Sequence, residues 1–193
     1  MLSINASIVQ GSGIGPSSYV INCCDLNPIN SDNKFSKYAD DTYLVVPSSN
    51  SNSITMEIQS ISRWAAANNL KLNENKSKEM IVRWPRSSQK SFQPPEPFPG
   101  IERVGKLNVL GVCLSDSLSF GEHVNSLLTQ ASGTVYALRI LRSNGLTPPA
   151  LWDVTHATLI ARLSYASPAW WGFVDANSKQ RLQALFKKLI KQG

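Results

Sequence analysis

Apolar and polar positions switch between strand and helical periods along the chain. Thr42-Tyr43-Leu44-Val45-Val46 is rich in β-branched and aromatic residues, the composition of a strand. Phe35-Ser36-Lys37-Tyr38 precedes it, with Asp40-Asp41 between the two runs. Aspartate tolerates turn geometry, so this block predicts strand, tight turn, strand. Ile54, Ile58, Ile61 and Ala65 then fall at helical spacing beside Trp64, and predict an amphipathic helix over residues 53–69. Past the polar connector 70–76, Ser77 to Trp84 reads as a strand through Met80-Ile81-Val82, and Pro94, Pro95, Pro97 and Pro99 keep the following segment extended. Ile101 to Gly105 and Leu107 to Leu114 alternate as two strands around Gly105-Lys106. Gly111 inside the second predicts a bulge, or a place where another backbone passes close.

Beyond Ser115 the period becomes helical. Val124, Leu127, Leu128, Ala131, Val135, Leu138 and Leu141 form one long stripe, stopped by Asn144-Gly145. Pro148-Pro149 opens the next helix, with Leu151, Val154, Thr158, Leu159 and Leu163 on one side. A last helix runs from about Asn177 to Ile190. At the other end, Gln10-Gly11-Ser12-Gly13-Ile14-Gly15-Pro16 forces a tight loop, followed by a short helix over Tyr19 to Cys24 that ends ahead of Pro28. Such a loop can hold phosphate on its amides or serve only as a turn. It is not a P-loop, because no Lys-Ser or Lys-Thr follows the glycines. The fold class expected is α+β: an antiparallel sheet with helices over residues 1–120, then an all-helical part over 121–193.

Composition narrows this picture modestly. Apolar residues make up 42% of the 193, enough for a core, and no run approaches the eighteen or so apolar residues of a membrane span. Met1-Leu2-Ser3-Ile4-Asn5 lacks the basic start and apolar block of a secretion signal, so an intracellular location is expected. Cys23, Cys24 and Cys113 show no metal-ligand spacing and read as reduced, packed thiols. His123 and His156 read as helix-surface residues. Residues 1–100 carry nine basic and eight acidic groups, whereas 101–193 carry ten and five. A polyanion would therefore be held by the C-terminal half, the plainer alternative being a solvated basic helix face.

Asp40-Asp41 is the candidate centre of chemistry. An arbitrary pair of this kind is usually a solvated turn. Here apolar residues flank it on both sides and would draw the hairpin into a core, where two carboxylates repel unless a cation neutralises them. A divalent metal site is the sharper expectation.

Taken in order, the blocks resemble the reverse transcriptase domain of non-LTR (LINE-type) retrotransposons, from Ser7 to about Leu189. Gln10-Gly11-Ser12-Gly13-Ile14-Gly15-Pro16 resembles the loop under the templating pair and incoming nucleotide. Tyr38-Ala39-Asp40-Asp41 resembles the catalytic Tyr/Phe-x-Asp-Asp turn. Trp64 with Asn69 to Ser77 resembles the next palm motif, whose lysine matches Lys76. Leu110-Gly111-Val112, leading to Leu118-Ser119-Phe120 and His123-Val124, resembles the hairpin that grips the primer end. Leu163-Ser164-Tyr165-Ala166-Ser167-Pro168-Ala169-Trp170 resembles the thumb signature.

The resemblance implies an RNA-directed DNA polymerase: a partial palm, including the primer-grip-like hairpin, over 1–120 and a basic helical thumb over 121–193. Two Mg²⁺ ions roughly 3.5–4 Å apart would perform nucleotidyl transfer, with Asp40 the main ligand and Asp41 its partner. Lys76 either protonates the pyrophosphate, only contacts phosphate, or is a plain surface lysine. Gln10, Gly11 and Ser12 would touch template and nucleotide. Tyr38 would lie under the primer terminus, or pack in the core. Lys179, Arg181, Lys187 and Lys188 would ride on the nucleic-acid backbone without reading sequence. The partners implied are an RNA template, a DNA primer and deoxynucleoside triphosphates in a nuclear or cytoplasmic ribonucleoprotein, with no membrane and no organic cofactor. The family completes its metal pair with an earlier palm aspartate, yet nine residues precede Gln10 here and none is acidic. Fingers and an endonuclease domain are likewise absent from these residues. The expectation is therefore a chain inactive alone; the alternatives are a non-catalytic nucleic-acid-binding remnant or a decayed fragment without function.

Overall fold

Glycine and proline set the first helix. In the computed structural model, which describes residues 13–83 and 94–190, α1 runs Gly15–Asn22. Gln10, Gly11 and Ser12 lie outside the described residues, as do Trp84 and Lys191. The described residues fall into two compact units, 13–77 with 94–102, and 78–83 with 103–190. The secondary structure is mixed, helices with small antiparallel two-stranded sheets, as the α+β expectation required. Among the described residues, no helix is long and apolar enough to cross a membrane.

In the first unit, β1 (Lys34–Tyr38) and β2 (Asp41–Val45) form an antiparallel hairpin in which Phe35 faces Leu44, Lys37 faces Thr42 and Tyr38 faces Asp41. A 3₁₀ turn, Ser48–Ser53, leads into α2 (Ile54–Ala67), close to the helix its periodicity predicts. The core of this unit is small and unusually polar. Its buried apolar residues are Cys23, Leu26 and Ala65, and its buried polar ones are Asn33, Ser53 and Glu57.

Glu57 has no solvent exposure. Its carboxylate accepts the backbone N–H groups of Ile29 and Asn30, each at 3.0 Å, and the Asn33 amide at 2.8 Å. The same Asn33 amide donates to Ser53 Oγ at 2.9 Å. Three donors from one loop thus converge on one helix residue and fix the segment that enters β1. Burial alone would raise the Glu57 pKa, but the Asn30, Ile29 and Asn33 donors outweigh it and hold the carboxyl below the ordinary glutamate range.

The second unit carries most of the buried apolar surface. After β3 (Lys78–Glu79) and β4 (Glu102–Arg103), β5 (Lys106–Val109) and β6 (Val112–Ser115) form a second antiparallel hairpin. The helices come next: α3 (Gly121–Ser143), α4 (Pro148–Thr155), a π-helical turn (His156–Ile160), α5 (Ala161–Ser164), α6 (Ser167–Trp170) and α7 (Ala176–Ile190). Val124, Leu127, Ala131 and Val135 of the predicted α3 stripe meet Leu159, Leu163, Trp170, Leu182 and Leu185 in one core that also takes in Val112 of β6. The hairpin therefore belongs to the same compact unit as the helices.

Several sequence expectations change. The strand expected over 77–84 shrinks to Lys78–Glu79. The second hairpin turns at Leu110-Gly111, not at Gly105-Lys106. His123 is buried rather than on the helix surface, its ring edge-on to Trp170 at 5.2 Å. His156 is exposed, as expected, while Cys24 is exposed rather than packed.

Replacing Glu57 by Gln keeps the shape but sets an amide N–H₂ against buried donors, and should destabilise the first unit by about 1–3 kcal/mol. A carboxyl whose pKa is lowered in the folded state adds stability above its unfolded pKa, about 4.3, and loses it as pH falls through the folded value. Urea unfolding across pH 3–6 should accordingly show an acid loss in the wild type that is shallower in Glu57→Gln. Parallel slopes would contradict the role assigned to the carboxylate.

Candidate functional site

Two residues, Ala39 and Asp40, close the β1–β2 hairpin, and Asp41 is already the first residue of β2. Ala39 has φ 48°, left-handed backbone that costs a non-glycine residue about 1–2 kcal/mol. The strain is tolerated because β1 is anchored elsewhere. The Lys37 ammonium donates to the carbonyls of Cys23 and Leu26, each at 2.6 Å, and so ties the strand to the chain leaving α1. Sequence reading missed Lys37: a lysine between Ser36 and Tyr38 carries no signal of the carbonyls it meets.

Facing residues of an antiparallel pair share a side of the sheet. Phe35, Lys37, Thr42 and Leu44 therefore lie on one face, and Ser36, Tyr38, Asp41 and Tyr43 on the other. The hairpin is not drawn into a core as its flanking apolar residues suggested. Asp40 and Asp41 are exposed, and Tyr38 is 65% exposed, which excludes its reading as a packed core tyrosine. Desolvation thus gives no argument for a cation at the pair.

The donor set is what remains. Two adjacent carboxylates offer the hard oxygen ligands Mg²⁺ prefers, and that ion keeps several waters of its own. Among the described residues, however, no group of three or more His, Cys, Asp or Glu side chains could hold a metal. The pair fits a contributing edge of a metal site, not a complete cage. Lys76 is exposed in a turn where the Asn73 carbonyl and side chain accept its backbone N–H at 3.1 and 3.2 Å. Trp64 donates its indole N–H to Asp25 at 2.9 Å, a tie between α2 and the end of the α1 segment.

In the second unit, the residues with a primer-grip resemblance sit at a hairpin tip. Leu110 and Gly111 are the two loop residues, at φ 48° and 84°, and Val112 opens β6 as a buried core residue. The expected bulge at Gly111 is instead a turn requiring positive φ. Among the described residues, no other backbone passes close to Gly111 either; the neighbour there is a side chain, that of Tyr165. Two motifs that the sequence separates by 55 residues therefore meet, the Tyr165 hydroxyl donating to the Leu110 carbonyl at 2.9 Å.

The four cations expected on a nucleic-acid backbone all lie on α7. Lys187 and Lys188 are exposed in its last turn, where cations also favour the helix dipole. Lys179 sits 5.5 Å above the Trp171 ring, and Arg181 donates to Asn125 of α3 at 2.6 Å. Asp175 starts α7 by accepting the Ser178 backbone N–H at 2.8 Å and its hydroxyl at 2.7 Å, and these bonds lower its pKa. Nearby, a polar recess of about 320 Å³ is lined by Ser115, Ser117, Ser119 and Asn125, with the Lys106–Glu122 ion pair at its edge.

Comparison of the chain with protein-family models, with curated proteins and with solved structures finds no significant match.

His123 is buried beside Trp170, with Nε2 unpartnered among the described residues. Burial lowers its pKa, so the folded unit resists its protonation. The unfolded chain takes up that proton first, near pH 6.5, and stability should decline as pH falls below that point. Thermal unfolding between pH 7.5 and 5 should show this loss, and His123→Phe should flatten it. An unchanged pH dependence in the variant would refute the assignment.

Proposed function

We propose that this chain is part of an RNA-directed DNA polymerase of the non-LTR retrotransposon type, with the β1–β2 turn as the carboxylate-bearing edge of a two-metal nucleotidyl-transfer site. The observation that carries the reading is the turn itself. A strained two-residue loop, anchored by Lys37, leaves Asp40 and Asp41 adjacent and open to solvent, with Tyr38 beside Asp41 on the same face. Strain of this kind persists where the surroundings over-determine it, often at functional sites.

In this reading Asp40 and Asp41 offer oxygen ligands to divalent metal. When bound, the metal activates a primer hydroxyl and neutralises charge on the triphosphate. Tyr38 offers an exposed ring where a primer terminus would lie, and the Leu110–Gly111 tip with Val112 forms the primer-gripping element. Lys76 is available to a phosphate. Gln10, Gly11 and Ser12 take the nucleotide-facing role by resemblance alone. The further carboxylate that such a site needs is not grouped with the pair among the described residues, so these residues by themselves are assigned metal binding and not turnover.

A second reading, non-catalytic nucleic-acid binding, is favoured by α7, which carries Lys179, Arg181, Lys187 and Lys188 and no acidic residue. The two separate experimentally. Mn²⁺ titrated into the chain should broaden the NMR signals of Tyr38, Asp40 and Asp41, and Asp40→Asn with Asp41→Asn should abolish the effect. Retained broadening in the double variant would reject the metal role. Duplex affinity measured across a salt series should lose about 1.8 from its log–log slope in Lys187→Ala/Lys188→Ala, near 0.9 per phosphate contact. An unaltered slope would remove α7 from the interface.

A further inference from the structure

The Leu110–Gly111 turn needs support from outside its own hairpin. β5 and β6 contribute four residues each, and so short a two-stranded hairpin does not persist alone in water. Both loop residues have positive φ, the signature of a type I′ turn. Glycine adopts this backbone freely, but leucine does so against a clash of its Cβ. The usual occupant of the first position, asparagine or aspartate, is missing.

Tyr165 meets both loop residues. Its hydroxyl donates to the carbonyl of the strained Leu110 at 2.9 Å, and its ring carbon Cε1 lies 3.5 Å from where a Cβ on Gly111 would stand. Tyr165 is held in turn from behind. Its carbonyl accepts the Trp170 indole N–H at 3.1 Å, and Trp170 is 1% exposed. Ala166, at φ 50°, turns the chain sharply at this point, so the corner between α5 and α6 is a second left-handed site. Although Tyr165 is 55% exposed, its two ends are both fixed.

We propose that Tyr165 is a positioning residue that latches the Leu110–Gly111 turn in its left-handed form. It supplies from across the unit the stabilisation that an asparagine at the first loop position would supply locally. For nucleic acid the consequence rests on the reading of this turn as the primer-gripping element. A tip held in one shape loses less freedom when a primer end docks on it.

The full chain tests this through amide exchange and duplex binding measured together. Tyr165→Phe keeps the ring and removes the donor. Exchange at Val109 and Val112, the pair that closes the hairpin, should rise about tenfold, the equivalent of one net hydrogen bond, with Val135 and Leu182 in the helical core unmoved. Adding Leu110→Asn should restore slow exchange, because asparagine tolerates the turn without the latch. Affinity for a duplex with a recessed 3′ end should fall severalfold in Tyr165→Phe, with blunt duplex unaffected. Unchanged exchange in Tyr165→Phe, or no rescue by Leu110→Asn, would overturn the latch. A loosened and rescued tip with constant recessed-end affinity would overturn its role toward the primer. Absence of any duplex binding by the wild type would reject the nucleic-acid reading, and the exchange data would still decide the latch.

Discussion

A carboxylate sealed from solvent and satisfied by three N–H donors is the constraint on which the first unit depends. With Cys23, Leu26 and Ala65 as the buried apolar side chains among its described residues, that unit has little hydrophobic drive. Glu57 compensates by gathering the Ile29–Asn33 loop onto α2, one residue before β1 begins. Four residues into the strand, Lys37 repeats the device with opposite charge, its ammonium on two carbonyls. The carboxylate pair at the hairpin tip is thus aimed by polar anchors rather than by packing. Such anchors are directional and fail abruptly when one partner is lost.

The second unit solves the same problem with apolar contact. Trp170 is buried against His123, in one core with Val112 of β6 and with Leu182 and Leu185 of α7. The two hairpins are nevertheless alike at their tips: each begins its loop with a non-glycine residue at φ 48°, Ala39 in one and Leu110 in the other. Each hairpin is tied to a distant part of its own unit through backbone carbonyls: the Lys37 ammonium donates to those of Cys23 and Leu26, and the Tyr165 hydroxyl donates to that of Leu110.

The long helices were legible because their periodicity is long: α2, α3 and α7 each repeat an apolar face over several turns, and the stops of α2 and α3 fall at asparagine and glycine. The second hairpin was legible as strands but not in its turn. The two-residue loop lies inside the apolar run Val109-Leu110-Gly111-Val112, and Leu110 is not a turn-forming residue. The short apolar run at 80–82 read as strand, yet no strand extends over it. At the candidate site the Asp-Asp pair could be read directly, but its exposure could not, since apolar neighbours in sequence say nothing of what lies across the sheet. Glu57, Lys37, His123 and Tyr165 escaped for a common reason: their partners are 11 to 55 residues away, or are backbone atoms with no letter in the sequence.

The π turn at His156–Ile160 has a consequence for how this chain can drift in length. There the Ala161 N–H reaches the His156 carbonyl, one residue further back than in an α-helix. That wide turn absorbs one residue more than an α-helix would hold, so losing a single residue from it would return it to α-helical winding and leave the downstream residues on the face they now occupy. Leu163 would stay in the core and Tyr165 would stay opposite Leu110. Between Pro148 and Tyr165 the chain therefore has one place where its length can change without disturbing a hairpin tip that lies far away in the sequence.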